Sequence, residues 1–139
     1  MFLILLAGHG LSLSVNNFLK GVQYISDDLP VGFAVCNREP VIYKPIDASK
    51  SKCPDYTFKG ITNITKALYD YMPMITTQTR IVLFSDGHFN ETGFEKIINR
   101  AYAVAVGSDY NYRNLLNFTK SKRRIFMPWD AAFLAGVIV

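Results

Sequence analysis

Two histidines, one aspartate and a few hydroxyls are the side chains whose spacing here could support chemistry. Gly8-His9-Gly10-Leu11-Ser12-Leu13 follows an apolar run and precedes a helical pattern. That is the setting of the Gly-x-Gly-x-x-Gly loop, where glycines let the backbone approach a pyrophosphate. Leu13 stands at the third glycine position, and Asn37 rather than a carboxylate ends the next apolar run, so the dinucleotide context fails. His9 or His88 could act as a base, but Ser12, Ser14 and Ser85 lie in no nucleophile-elbow motif. A nucleotide-binding or hydrolytic enzyme using Gly8-His9-Gly10 and Asp86 is therefore the alternative reading. His9 and His88 with Asp86 could ligate a soft metal such as Zn²⁺, although their spacing does not specify it; solvent-facing or hydrogen-bonded imidazoles are the plainer expectation. The basic run Lys120, Lys122, Arg123, Arg124 could touch phosphate or an acidic partner. It lacks the interleaved aromatics of a nucleic-acid surface and reads as a solvated loop.

These side chains need elements to position them. Phe2 to Ala7 has no polar alternation, which predicts a strand buried on both faces. Ser14 is the expected N-cap of a helix to about Ser26, with Val15, Phe18, Leu19, Val22 and Ile25 on its apolar face. Val31 to Cys36 is a second strand. Asn37 to Pro40 is too short a link for a parallel crossover, so Val41 to Ile46 should return as an antiparallel hairpin partner; Pro45 suits an edge strand. Thr62 or Asn63 opens a helix through Ala67, Leu68 and Tyr71, closed by Pro73 and the Thr76 to Thr79 stretch. Arg80 to Phe84 is a buried strand ended by Ser85-Asp86-Gly87. A short helix over Thr92 to Asn99, a strand over Ala101 to Val106 and a helix over Tyr112 to Thr119 follow. Arg124 to Met127 is a last short strand, and Trp129 to Val139 a closing helix with Phe133, Leu134 and Val137 on its apolar face. Strand and helix otherwise alternate, which implies a doubly wound, Rossmann-like, mostly parallel α/β sheet with one antiparallel edge strand, folded as one domain over residues 1–139. In such sheets ligands meet the carboxyl ends of the strands, so Gly8 to Ser12, Gly60 to Ile64 and Ser85 to Asn90 are the loops to watch.

Composition narrows the function classes. Half of the 139 residues are apolar and 19% charged, with a formal charge of +4, enough apolar content for a packed core. Cys36 and Cys53 form no CxxC pair and have no neighbouring His, so two free thiols in a reducing compartment are expected. The N-terminal apolar run is short and no basic residue precedes it, unlike a signal peptide, and no apolar stretch reaches the roughly 18 residues of a membrane span. A cytoplasmic protein is the expectation, and the three Asn-x-Thr sequons carry no weight there.

The order of features resembles the von Willebrand factor A family, and within it the small tellurium-resistance-associated bacterial and phage members. The carriers are Leu3-Ile4-Leu5-Leu6, Val15-Asn16-Asn17-Phe18-Leu19, Gly60 to Leu68 and Ile81-Val82-Leu83-Phe84-Ser85-Asp86-Gly87, with Ala101 to Ser108 as the next strand. The resemblance implies a metal-ion-dependent adhesion site built from Asp-x-Ser-x-Ser, a Thr and a second Asp, hard oxygen donors suited to Mg²⁺. Thr62 and Asp86 fall on the last two positions. Ala7 falls on the first Asp, and His9 and Leu11 on the two Ser; Ser12 and Ser14 could offer hydroxyls but no carboxylate. The site is thus degenerate: Thr62 and Asp86 alone would hold Mg²⁺ weakly, and no cofactor is expected. What the resemblance implies is a non-enzymatic protein-binding module, metal-independent, in a phage or bacterial stress or defence context. Its partner would be another protein, neither membrane nor nucleic acid. Its contact residues would be His9, Ser12, Thr62, Asn63, Asp86, His88 and Phe89, with Phe89 an exposed apolar anchor.

Overall fold

A computed structural model describes residues 1–98 and 100–138. The six strands are β1 (Phe2–Ala7), β2 (Pro30–Val35), β3 (Val41–Asp47), β4 (Arg80–Ser85), β5 (Ala101–Ala105) and β6 (Ile125–Phe126). Four α-helices accompany them among the described residues: α1 (Ser12–Ile25), α2 (Ile64–Tyr71), α3 (Tyr112–Thr119) and, after the last strand, α4 (Ala131–Ile138). The sheet order is β3-β2-β1-β4-β5-β6. Every pairing is parallel except β2 with β3, which run antiparallel with a bulge between Val31 and Phe33. The expected mostly parallel sheet with one antiparallel edge strand is therefore what the chain forms.

β1 shows why the strands read as unbroken apolar runs. All six of its residues are buried, but alternate ones serve different cores, because successive side chains point to opposite faces. Phe2, Ile4 and Leu6 pack under α1 and α4. Leu3, Leu5 and Ala7 pack under α2 and α3. Two close approaches fix the layers. A Cβ on Gly21 of α1 would stand 2.5 Å from the Ala132 carbonyl oxygen of α4, so the two helices touch nearly backbone to backbone. A Cβ on Gly32 of β2 would run into the Tyr71 hydroxyl. That hydroxyl crosses the notch and donates to the Tyr43 carbonyl on β3 at 2.7 Å, while burial pushes the phenol up to about 12.

Several local expectations are corrected. Helix α1 starts at Ser12, not after a Ser14 cap: Leu11 occupies the N-cap position without a side-chain cap bond. Leu11 and Ser14 are both buried, so hydrophobic anchoring sets this helix start. Ile25 is 46% exposed and falls off the buried face. The expected helix over Thr92 to Asn99 is a single 3₁₀ turn, Phe94–Lys96, because Gly93 enters it at φ 81°, in the left-handed region where a helix cannot propagate; Asn99 lies outside the described residues. The closing helix begins at Ala131 behind a Pro128–Asp130 3₁₀ turn, and Val139 lies outside the described residues. Its buried residues are Ala131, Leu134, Ala135 and Ile138, whereas Phe133 and Val137 face outward. Among the described residues, no helix is long and apolar enough to cross a membrane.

Candidate functional site

The carboxyl ends of β1, β2 and β4 bring three loops to one rim. At the first, β1 ends at Ala7 and the chain turns through Gly8 to Leu11. Tyr56, from the long connection after β3, fastens this turn: its hydroxyl donates to the Gly8 carbonyl at 3.2 Å and accepts from the Leu11 amide at 3.2 Å. His9 is exposed and meets Phe58 edge-on, with ring centroids 5.1 Å apart. His9, Ser12, Pro54, Asp55, Tyr56 and Phe58 line a groove of about 360 Å³.

Asn37 at the end of β2 is buried and works in both directions. Its amide donates to the Thr57 carbonyl at 2.8 Å, and its oxygen accepts from the Lys59 amide at 2.9 Å. Asn37 also bridges to Thr62. That contact occupies Thr62 as an extended residue, so the helix cap falls to Asn63, whose Oδ1 accepts from the Lys66 amide at 3.0 Å. The remaining free amides at the start of α2 go to a residue that no sequence motif marks. Glu91 spans them with both oxygens, Oε2 accepting from Ile64 at 2.7 Å and Oε1 from Thr65 at 2.8 Å. A carboxylate there satisfies two orphan donors and suits the positive end of the helix.

The third loop is held as closely. Ser85 Oγ accepts from the Gly87 amide at 2.9 Å, and Asp86 Oδ1 from the His88 amide at 3.0 Å. Gly87 has φ 81°, and a Cβ there would stand 2.5 Å from the Asn111 carbonyl oxygen; only glycine fits both constraints. Asn114 of α3 donates to the carbonyls of Gly87 and Phe89 at 2.8 and 2.5 Å, and Asn111 caps α3 by accepting from the Asn114 amide. His88 Nε2 donates to the Asp109 carbonyl at 2.6 Å. That bond, with the nearby Asp86 charge, holds the imidazole above its ordinary range. Phe89 is not the exposed anchor expected from the sequence. It is 5% exposed and packs edge-on against Phe94 in the α2/α3 core.

The geometry brings the three expected loops together, with Asp86 N only 3.9 Å from where a Gly8 Cβ would stand. It does not assemble the expected ligand sets. Among the described residues, no group of three His, Cys, Asp or Glu could hold a metal ion. His9, His88 and Asp86 do not converge as a Zn²⁺ set: one imidazole turns to Phe58 and the other to Asp109. The donors also fit Mg²⁺ poorly. Ala7 is buried at the position of the expected first carboxylate, Asp86 accepts within its own loop, and both oxygens of Glu91 are taken by amides. For the enzyme alternative, Ser14 is buried in α1 and Ser85 Oγ serves Gly87. Among the described residues, no hydrogen bond joins either imidazole to a hydroxyl or thiol. Cys36 and Cys53 are free and buried; burial pushes both thiols up, with the Glu91 charge adding to the effect at Cys36. Tyr56, Asn37, Glu91 and Asn114 are the rim residues that sequence reasoning missed. Only the Asn111 cap had a local signal, an Asn directly before a helical pattern.

No protein-family model and no curated protein sequence matches the chain. Solved structures do. Proximal thread matrix protein 1 from the mussel byssus superposes with a TM-score of 0.68 at 13% identity, over 99% of this chain and 43% of that one. A further structure of that mussel protein is described with a zinc-occupied metal-ion-dependent adhesion motif. The conserved hypothetical protein BatB from Bacteroides thetaiotaomicron matches with a TM-score of 0.64 at 14% identity, over 99% of this chain and 96% of that one. A von Willebrand factor type A structure from Catenulispora acidiphila matches with a TM-score of 0.61 at 11% identity, over 99% and 41%. The chain thus spans less than half of the mussel protein and nearly all of the BatB structure. With its strand order and single antiparallel edge, it has a von Willebrand factor A-like fold.

Proposed function

We infer that this chain is a protein-binding module of the von Willebrand factor A type, working without a metal ion and without catalysis. Its contact surface would be the rim carrying His9, Ser12, Thr62, Asn63, Asp86 and His88, with Phe58 rather than Phe89 as the apolar element. The observation that supports this most is the clasp. Tyr56, Asn37, Glu91 and Asn114 satisfy with protein atoms the backbone groups of loops that an ion would otherwise organise. A rim fastened in this way is preorganised, which lowers the ordering cost of binding. On the sequence resemblance, we place the module in the cytoplasm of a bacterial or phage-infected cell, in a stress or defence setting.

The test is recovery of a cross-linked partner from the source cell by wild type and by an Asp86→Ala, His88→Ala double variant, each with EDTA and with added Mg²⁺. Recovery by wild type in EDTA and its loss in the folded variant is the expected result. Recovery that needs Mg²⁺ would overturn metal independence, as would saturable Mg²⁺ binding in calorimetry abolished by Asp86→Ala. Turnover of a nucleotide or phosphoester lost on His9→Ala would favour the enzyme alternative.

A further inference from the structure

The outer surface of the α1/α4 layer is unlike the rest of the molecule. Helix α1 carries one charged residue, Lys20, and α4 carries none. On the outer side of α1 lie Leu13 and Tyr24, the latter 93% exposed. Trp129, in the turn that leads into α4, is 77% exposed, and Phe133 and Val137 follow at four-residue steps, Phe133 at 68%. That spacing places them along one side of the helix, away from the buried Ala131, Leu134, Ala135 and Ile138. The Gly21 contact holds the two helices side by side, so both stripes belong to one surface. Ile25 lies in the seam, its Cδ1 4.0 Å from where a Gly136 Cβ would stand.

We propose that this α1/α4 face is a self-association surface that pairs two copies of the chain about a twofold axis. Area is the first argument. With aromatic side chains of about 150–250 Å² and smaller aliphatic ones, the six exposed residues present on the order of 700 Å² of apolar surface. The largest patch on an ordinary monomer is about 300–600 Å², and a standard interface takes about 800 Å² from each partner. Charge is the second argument. A twofold interface sets the same patch against itself, so like charges on it would repel. The chain carries +4 overall, yet α1 and α4 together hold only Lys20, and the charge beside Trp129 is Asp130, of the opposite sign. The sheet edges supply the third argument. β6 is two residues long, and β3 carries Pro45 and the bulge beside Val31. Both are features that discourage edge-to-edge pairing, so copies that associate would do so through the helices. Trp and Tyr are also the residue types that dominate binding energy at such interfaces.

The experiment is sedimentation equilibrium of the full chain from about 1 to 100 μM, a span in which interfaces of this size are populated, paired with emission from Trp129, the sole tryptophan. Wild type should sediment as a dimer at the upper end, and its emission should shift to the red on dilution. Phe133→Glu should be monomeric with unchanged circular dichroism. Tyr69→Glu, at an exposed aromatic on α2, should leave the dimer intact. Should Phe133→Glu fail to fold, the dilution-dependent emission of wild type still decides the matter. A wild type monomeric throughout, with constant emission, overturns the proposal. So does a monomer that binds anionic phospholipid vesicles through Trp129, which would give the face to a lipid surface. Leu13 adjoins the rim residue Ser12, but the partner-recovery test reads Asp86 and His88 after β4 and this one reads Phe133 on α4, so the two fail independently.

Discussion

The two helical layers are fastened to the same sheet by different means. α2 and α3 are tied at their starts by side chains: Asn63 and Glu91 cap one, Asn111 caps the other, and Asn114 reaches back into the third loop. Their outer surfaces carry ordinary polar groups, including the Lys66–Asp70 pair at 3.4 Å. α1 has no side-chain cap, and α4 has apolar residues on every side. That layer is held by close packing around Gly21 and the buried faces below it, with Asn16 and Gln23 of α1 bonding to the connection after β3. The helices of one layer are thus tied by side chains at their starts, and those of the other meet chiefly by contact along their length. The bonded layer borders the rim loops, so caps and loops form one network there. The packed layer leaves an apolar outer face and meets the rim only at the start of α1, where the Leu11 amide bonds to Tyr56.

The sharpest way to break this contrast is Gly21→Val. Added atoms meet the Ala132 carbonyl and the Ala135 side chain, and overpacking of this kind should cost about 3 kcal/mol or prevent folding. Urea unfolding reads it, and a variant within about 0.5 kcal/mol of wild type would show that the crossing relaxes freely. Next in size is Glu91→Ala. It strands the Ile64 and Thr65 amides and should cost about 2 kcal/mol, with faster hydrogen exchange at those two amides and little change in α1. Asn63→Ala and Asn111→Ala should each cost about 1 kcal/mol, whereas Ser12→Ala at the start of α1 should be near neutral. Equal losses at all three positions would erase the distinction between the layers.

The smallest effect belongs to His88. Its folded imidazole titrates above the ordinary 6.5, first because of the bond to the Asp109 carbonyl and second because of Asp86. A group raised in the folded state stabilises while it is protonated. Its contribution is therefore complete below the ordinary value and is lost as pH rises through the raised one. Stability measured from about pH 6 to 8 should decline slightly in wild type, and His88→Gln should flatten that decline. An NMR titration giving His88 an ordinary midpoint would contradict the geometry.

Strands were legible because both faces of β1, β2, β4 and β5 are buried, which leaves unbroken apolar runs in the sequence. The Asn37 to Pro40 link was legible because so few residues cannot carry a crossover. The rim was legible only as three loops. Its fastenings join residues far apart in sequence, Glu91 to Ile64 and Tyr56 to Gly8, and nothing local marks either end. Phe89 misled for the same reason: its neighbours in the loop are polar, while its partner Phe94 lies beyond a left-handed glycine. The outward side of α4 was misjudged because an all-apolar segment has no periodicity from which to choose a face. Ser14 looked like a cap, but a buried Leu11 starts the helix instead.

The strand order also sets a timetable. β1 sits at the centre of the sheet, with Phe2 opposite Val31 on one side and Arg80 on the other. During synthesis the first strand to emerge has one neighbour early, from the β2–β3 segment, and waits for the other until β4 follows. Through that interval one edge of β1 lacks its ladder partner. Pairings between residues so far apart in sequence form slowly, and an unpaired apolar edge is a site for association between chains. The rate of β4 docking therefore governs how long a nascent molecule is open to aggregation, and chains halted before Arg80 should be the ones that need a chaperone.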